Sequence, residues 1–191
     1  MKHKIRKELI KTRKKLSKKE VLEKSNRIKK RLFGINEFKK ASTILFYVSY
    51  DNEVYTHDMI KESMSNNKNV IVPISDRKNR RLILSKLNNW DDLILGSYGI
   101  LEPSKDKIKE TSIEKVDLII VPGVGFDKTG RRIGHGKGYY DNLLKNSTNA
   151  LHIGLAFEAQ IVKKIPTESH DLPVNKIITE KRVIDCRKYK R

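Results

Sequence analysis

The residues best suited to chemistry lie together in one stretch, VPGVGFDKTGRRIGHGKGYYD, running from Val121 to Asp141 and holding six of the chain's 10 glycines. Glycine lets the backbone take positive φ and approach a ligand closely, and N–H groups at a helix start favour phosphate. A loop of this kind between a strand and a helix therefore reads as a phosphate cradle. Arg131, Arg132 and Lys137 add charge able to clamp phosphoryl oxygens, and Asp141, just inside the next helix, can hold the Mg2+ that escorts a nucleoside triphosphate. The spacing matches neither Walker A nor the dinucleotide fingerprint: Gly134, Gly136 and Gly138 run as GxGxG, and Gly130 is not followed by GKS or GKT. The loop alone leaves open whether its phosphate belongs to a nucleotide, a sugar or RNA.

Such a loop needs a strand before it and a helix after it. Residues 117–122 (DLIIVP) form the clearest buried strand, and residues 139–144 start a helix. Towards the amino terminus, Ile5, Leu9, Leu16, Val21, Ile28 and Leu32 recur at mostly helical intervals. Ser17 precedes Glu20 in a capping pattern, which predicts two basic amphipathic helices over residues 2–33. Strands are expected at 43–48, 69–73, 81–87 and 151–156, a hairpin-like pair at 176–179 and 182–185, and helices at 56–66 and 158–164. Residues 90–94 fit either type, and residues 96–109, rich in Gly, Pro and charge, read as a surface excursion. This alternation predicts an α/β sandwich with a largely parallel sheet.

With 191 residues and 37% hydrophobic content the chain fits a single domain, residues 1–191. A lone Cys186 excludes a disulfide scaffold and a cysteine zinc site, and no run reaches the roughly 18 apolar residues of a spanning helix, so a cytoplasmic protein with no membrane partner is expected. The net charge of +19 sits at the ends: residues 1–31 hold fifteen Lys or Arg against three acids, and residues 181–191 six against one. Such a field attracts any polyanion in a salt-dependent way and does not choose among them.

The glycine-rich stretch resembles the signature of the 5-formyltetrahydrofolate cyclo-ligase family. The resemblance extends to KHKIRKELIKTRKKLS at the start, FYVSYDNEVYT in the middle and HDLPVNKIIT near the end. It implies a three-layer α/β/α Rossmann-like sandwich with a basic amino-terminal helical segment. It also implies ATP- and Mg2+-dependent closure of 5-formyltetrahydrofolate to 5,10-methenyltetrahydrofolate, with release of ADP and phosphate. By motif position, Lys2 and Arg6 are the implied ATP-contacting pair, with Lys4 near enough to compete with Lys2. The ATP segment comprises Arg132, Ile133, Gly134, His135, Gly136, Lys137, Gly138, Tyr139 and Tyr140; Lys137 is the implied γ-phosphate contact, and Lys137, Arg132 and Tyr140 are the implied catalytic residues. His135, Gly136, Lys137, Gly138 and Tyr139 also match the folate site, Val48 and Glu53 match pterin-contacting positions, and Asp141 and Asp171 match metal-associated acids. Asn175 stands where the family commonly shows Asp.

Each position has a second reading in the residues themselves. Lys2 and Arg6 are two cations on a solvated basic helix, Glu53 lies in a polar loop, Asp171 precedes Leu172-Pro173 in a turn-like setting, and Asp141 suits the first turn of any helix. His135 and His170 suggest loop or hydrogen-bonding roles ahead of acid–base catalysis. Two alternatives stand beside the ligase. One is a relative acting on another pterin or a formamide-like metabolite; the other is a nucleic-acid-binding module built on the basic helices. The loop separates them, because an RNA binder has no use for GRRIGHGKGYYD ahead of an acid at a helix start.

Overall fold

Five short apolar runs lie side by side as the parallel centre of a seven-stranded sheet, because residues alternating along them are buried on both faces. The computed structural model describes every residue of the chain except 167, 169, 170, 190 and 191. In chain order the strands are β1 (Thr43–Leu45), β2 (Asn69–Asp76), β3 (Arg81–Leu87), β4 (Leu93–Leu95), β5 (Leu101–Pro103) and β6 (Leu118–Val121). They continue with β7 (Gly125–Asp127), β8 (Arg132–Ile133), β9 (Leu151–Leu155), β10 (Ile161–Val162), β11 (Lys176–Ile178) and β12 (Val183–Asp185). The helices are α1 (Lys2–Lys14), α2 (Lys18–Gly34), α3 (Asn36–Lys40), α4 (His57–Ser65) and α5 (Tyr139–Lys145). The large sheet has the order β12-β11-β9-β6-β1-β2-β3, parallel except at its two antiparallel edges.

One face of the sheet, with Ile44, Val70, Leu118, Ile120 and Ile153, packs on Val21, Ile28 and Leu32 of α2, Phe38 of α3 and Met59 and Ile60 of α4. The other, with Leu45, Ile71, Ile119, Val121 and Ile177, packs on Leu143 and Leu144 of α5 and on Phe126. This is the expected α/β/α sandwich. Ser17 caps α2 through a full capping box with Glu20, so the break between the two basic helices falls where the pattern put it. α1 does not join the layers: its Leu9 packs with Val124, Ile133 and Ile165 against a small sheet of order β10-β7-β8.

Three local expectations are corrected. The glycine-rich stretch is not one loop, since β7 and β8 form an antiparallel hairpin inside it. Asp127, 1% exposed, closes the turn by accepting from Thr129 N at 2.9 Å and Thr129 Oγ1 at 2.6 Å. Residues 158–164 are not a helix. A single 3-10 turn at Glu158–Gln160 leads into β10, which pairs with β7, while Gln160 Nε2 donates to Val124 O at 2.9 Å. Residues 96–109 are not wholly a surface excursion, because β5 pairs with β4 and carries Glu102 inward at 7% exposure.

Gly130 is required by both conformation and space. Its φ is +89°, and a Cβ there would meet Val174 O at 2.2 Å. Gly130→Ala is expected to destabilise the chain by about 2–4 kcal/mol, read as a lower denaturation midpoint with an unchanged slope. A midpoint equal to the parent's would show that the turn is not so confined.

Candidate active site

In an open α/β sheet the ligand crevice opens beyond the carboxyl ends of the strands, where the strand order reverses. Here the chain runs outward from β1 to β2 on one side and from β6 through β9 to β11 on the other, so that point lies between β1 and β6. A cavity of about 570 Å³ opens there, within the usual range for small-molecule sites. Every site residue expected from the motifs reaches its wall: Lys2, Arg6, Val48, Glu53, the run from Arg132 to Asp141, and Asp171. Arg131, grouped with the loop cations by sequence, is not among the lining residues. His170 lies outside the described residues.

The segment after β1 is an excursion closed on itself. Ser49 N donates to Thr56 Oγ1 and Thr56 N to Ser49 Oγ, both at 3.0 Å, and Thr56 Oγ1 donates to Tyr47 O at 2.7 Å. The expected strand 43–48 therefore ends early: Phe46 N still donates to Ile71 O at 2.9 Å, and the chain then leaves the sheet. This closure buries Val48 and holds Glu53 at 7% exposure, so Glu53 is not the solvated carboxylate its polar loop suggests. Glu53 Oε2 accepts from Tyr50 N at 3.2 Å, and Oε1 lies 3.5 Å from His135 Nε2.

The opposite wall is the part of the glycine loop that follows β8. Arg6 Nε donates to Gly134 O at 2.8 Å, which seats α1 over the loop. Gly136 has φ +91°, which favours glycine, and a Cβ there would lie 3.5 Å from Arg6 Nη1, so the loop backbone passes beside that guanidinium at the cavity wall. Lys137 is exposed, with its Nζ 3.0 Å from the ring centroid of Tyr98. The Arg77 guanidinium lies over the same ring at 4.1 Å. The Tyr98 hydroxyl is held below its ordinary pKa by the Tyr139 hydrogen bond first and the Lys137 ammonium second; Tyr139 is raised by the same bond.

The two acids are both paired. Arg132, 8% exposed, donates from Nη2 to Asp141 Oδ1 at 2.6 Å, and Lys2 Nζ donates to Asp171 Oδ2 at 2.5 Å with Glu168 Oε1 at 3.3 Å. Burial lowers the Arg132 guanidinium against the pull of Asp141; on Lys2, burial is outweighed by its hydrogen bonds to Asp171 and Glu168, and the ammonium is raised. Two buried polar atoms at this wall have no hydrogen-bond partner among the described residues, Arg132 Nε and the Tyr140 hydroxyl. Burial, and next the nearby Glu53 carboxylate, push the Tyr140 phenol well above its ordinary range, so it stays a protonated donor. Both atoms belong to residues that line the cavity, and a buried donor without a partner is a group that an acceptor can complete. Among the described residues no group of three or more His, Cys, Asp or Glu could cage a metal. Of the carboxylates on the wall, Asp141 and Asp171 suit a divalent cation that arrives on phosphate oxygens and keeps part of its water.

Sequence reasoning missed Tyr98 and Glu102, both on the wall and both from the segment expected at the surface. The only signal for them was the isolated LEP alternation of β5 beside a tyrosine. Asn175 lies off the cavity: its Oδ1 accepts from His152 N at 2.8 Å, a backbone bridge that leaves the site untouched.

The model of the 5-formyltetrahydrofolate cyclo-ligase family matches residues 1–180. The 5-formyltetrahydrofolate cyclo-ligase of Mus musculus is 30% identical over 186 residues, covering 92% of this chain and 92% of its own. The enzyme of that name from Haemophilus influenzae is 33% identical over 146 residues, covering 74% and 78%. Among solved structures, the 5,10-methenyltetrahydrofolate synthetase of Aquifex aeolicus superposes with a TM-score of 0.86 at 33% identity, covering 97% of this chain and 93% of that one.

Proposed function

The chain belongs to the 5-formyltetrahydrofolate cyclo-ligase family and carries out its reaction, the ATP-dependent closure of 5-formyltetrahydrofolate to 5,10-methenyltetrahydrofolate; we propose that it does so in the cavity between β1 and β6. One observation carries this placement. A single cavity has a cationic glycine loop on one wall and a buried carboxylate, Glu53, on the other, so a phosphate donor and an N–H-rich ring fit the same space.

A formamide carbon is a poor electrophile and its oxygen a poor leaving group. The formyl oxygen attacks the γ-phosphorus of ATP and ADP departs; N10 then adds to the formyl carbon, loses its proton, and phosphate leaves with the former formyl oxygen. The protein's part is positioning and charge neutralisation. Lys137 leaves the Tyr98 ring to meet the γ-phosphate, Arg6 and Lys2 hold the nucleotide, and backbone N–H groups of Gly134 to Gly138 line its phosphates. Arg132 and the Tyr140 hydroxyl present their unpartnered donors to the oxygens on which charge develops. Glu53 accepts from the pterin's adjacent 2-amino and N3 hydrogens, with Val48 against the ring. Mg2+, held by Asp141 and Asp171, would neutralise phosphate charge when bound.

Small molecules are the substrates, and in our reading nucleic acid is not a ligand: α2 turns its apolar face into the core, and Lys2 and Arg6 turn into the cavity rather than onto an open face. We read residues 1–191 as one domain, a reading supported by one large sheet with helices of this chain on both faces. Among the described residues no helix is long and apolar enough to cross a membrane; we place the enzyme in the cytoplasm.

Purified protein with Mg-ATP and (6S)-5-formyltetrahydrofolate is expected to release one ADP per methenyl product, the latter followed by its near-ultraviolet absorbance. ATP binding that is lost in Lys137→Glu, without any methenyl product, would leave the phosphate loop standing and overturn the folate assignment.

A further inference from the structure

Helix α1 lines up Lys2, Arg6, Leu9 and Arg13 at intervals of four, three and four residues, which is one face of a helix. Lys2 and Arg6 reach the cavity wall, and Leu9 is buried on the small sheet. Arg13 is 3% exposed, although Lys4, Lys7, Lys11 and Lys14 of the same helix are solvated, and it does not line the cavity. It sits behind Glu53. Its Nη1 lies 3.9 Å from Glu53 Oε1, its Nη2 lies 3.9 Å from Asp51 Oδ2, and its Nε is buried with no hydrogen-bond partner among the described residues.

The backbone repeats this junction. Asn52 Nδ2 donates to Leu16 O at 2.8 Å and to Arg13 O at 3.3 Å, so the turn bearing Glu53 is fastened to the last turn of α1. That turn holds Asp51 at φ +51°, a conformation that needs such support in a residue with a side chain. A buried carboxylate requires a counter-charge and a fixed direction. His135, the other cationic candidate beside Glu53, stands on the exposed loop and carries charge only when protonated.

We propose that Arg13 is a positioning residue for the folate half of the reaction, supplying the counter-charge of Glu53 and fixing the direction in which that carboxylate enters the cavity. The inference rests on the reading of Glu53 as the pterin contact. It makes α1 serve both substrates: its first two turns meet the nucleotide and its last sets the folate grip.

The test is a double-mutant cycle on the full chain, with KM for each substrate, kcat and melting temperature measured for Arg13→Gln, Arg13→Lys, Glu53→Gln and Arg13→Gln combined with Glu53→Gln. Arg13→Gln is expected to raise KM for 5-formyltetrahydrofolate about tenfold and to change KM for ATP less than about twofold. Arg13→Lys, which keeps the charge, recovers part of the loss, and adding Arg13→Gln to Glu53→Gln changes the folate KM by less than about twofold. A merely structural arginine would instead raise both KM values or act equally in both backgrounds, and either result overturns the proposal alone. A normal folate KM in Glu53→Gln overturns the reading of Glu53 and the proposal with it. Should Arg13→Gln not fold, Arg13→Lys and the double variant, whose pair is neutral, still carry the comparison.

Discussion

Charge reversal at Lys137 is expected to lower turnover by about a thousandfold or more while leaving the fold intact, because phosphoryl transfer depends on preorganised charge at the γ-phosphate and little else. Removing one such donor typically costs about a hundred- to a thousandfold, and a carboxylate in its place adds repulsion to the loss. Stability is spared, since Lys137 is exposed and, among the described residues, its partner is the face of Tyr98 rather than a carboxylate. Lys137→Arg keeps the charge on a longer, planar head and should fall between the parent and Lys137→Glu. Steady-state turnover and thermal melting, measured side by side, decide the matter. Activity within about tenfold of the parent in Lys137→Glu would remove this lysine from the chemistry, that being far less than loss of a charged transition-state contact costs.

Asp141→Asn should damage both stability and activity, for separable reasons. Arg132 is 8% exposed and donates to Asp141 at 2.6 Å, so a neutral amide leaves a buried guanidinium without its anion. Breaking a buried pair from one side costs about 3–5 kcal/mol; Asp141 keeps some solvent contact, so about 2–3 kcal/mol is expected here, a drop of roughly 4–12 °C in melting temperature. Turnover is expected to fall at least about tenfold, with the Mg2+ concentration for half-maximal rate rising by about as much. Replacing both partners, Arg132→Met with Asp141→Leu, removes the stranded charge and should restore much of the stability without restoring activity. An Asp141→Asn protein that melts and turns over like the parent would show that the pair is neither structural nor part of the reaction.

The same pair illustrates the limit of reading function from spacing. Asp141 was legible as an acid beside a phosphate loop and Asp171 only through the family resemblance, and the cations that hold them lie nine and 169 residues away in sequence. Spacing carries no record of contacts so distant. The glycine stretch divides in the same way. Gly134, Gly136 and Gly138 reach the cavity, whereas Gly123 makes room for Phe126, Gly125 for Leu9, and Gly130 for the Val174 carbonyl. Six glycines look alike in a string, and only the packing around each distinguishes a ligand approach from a tight core.

What the amino-acid sequence determined by itself was local: the two helices divided by the Ser17 cap, the apolar runs that became the parallel strands, and the run from Arg132 to Asp141 that lines the cavity. These follow from periodicity, capping and backbone freedom, all of which act over a few residues. The tertiary structure decided the rest. It brought Ile161 beside Phe126 to make a strand of a segment with helical composition, drew Glu102 inward through pairing of β4 with β5, and buried Glu53 against Arg13. In each case the deciding energy comes from a partner far along the chain, through a sheet hydrogen bond, a buried charge or an excluded solvent face, and none of these exists until the chain has folded.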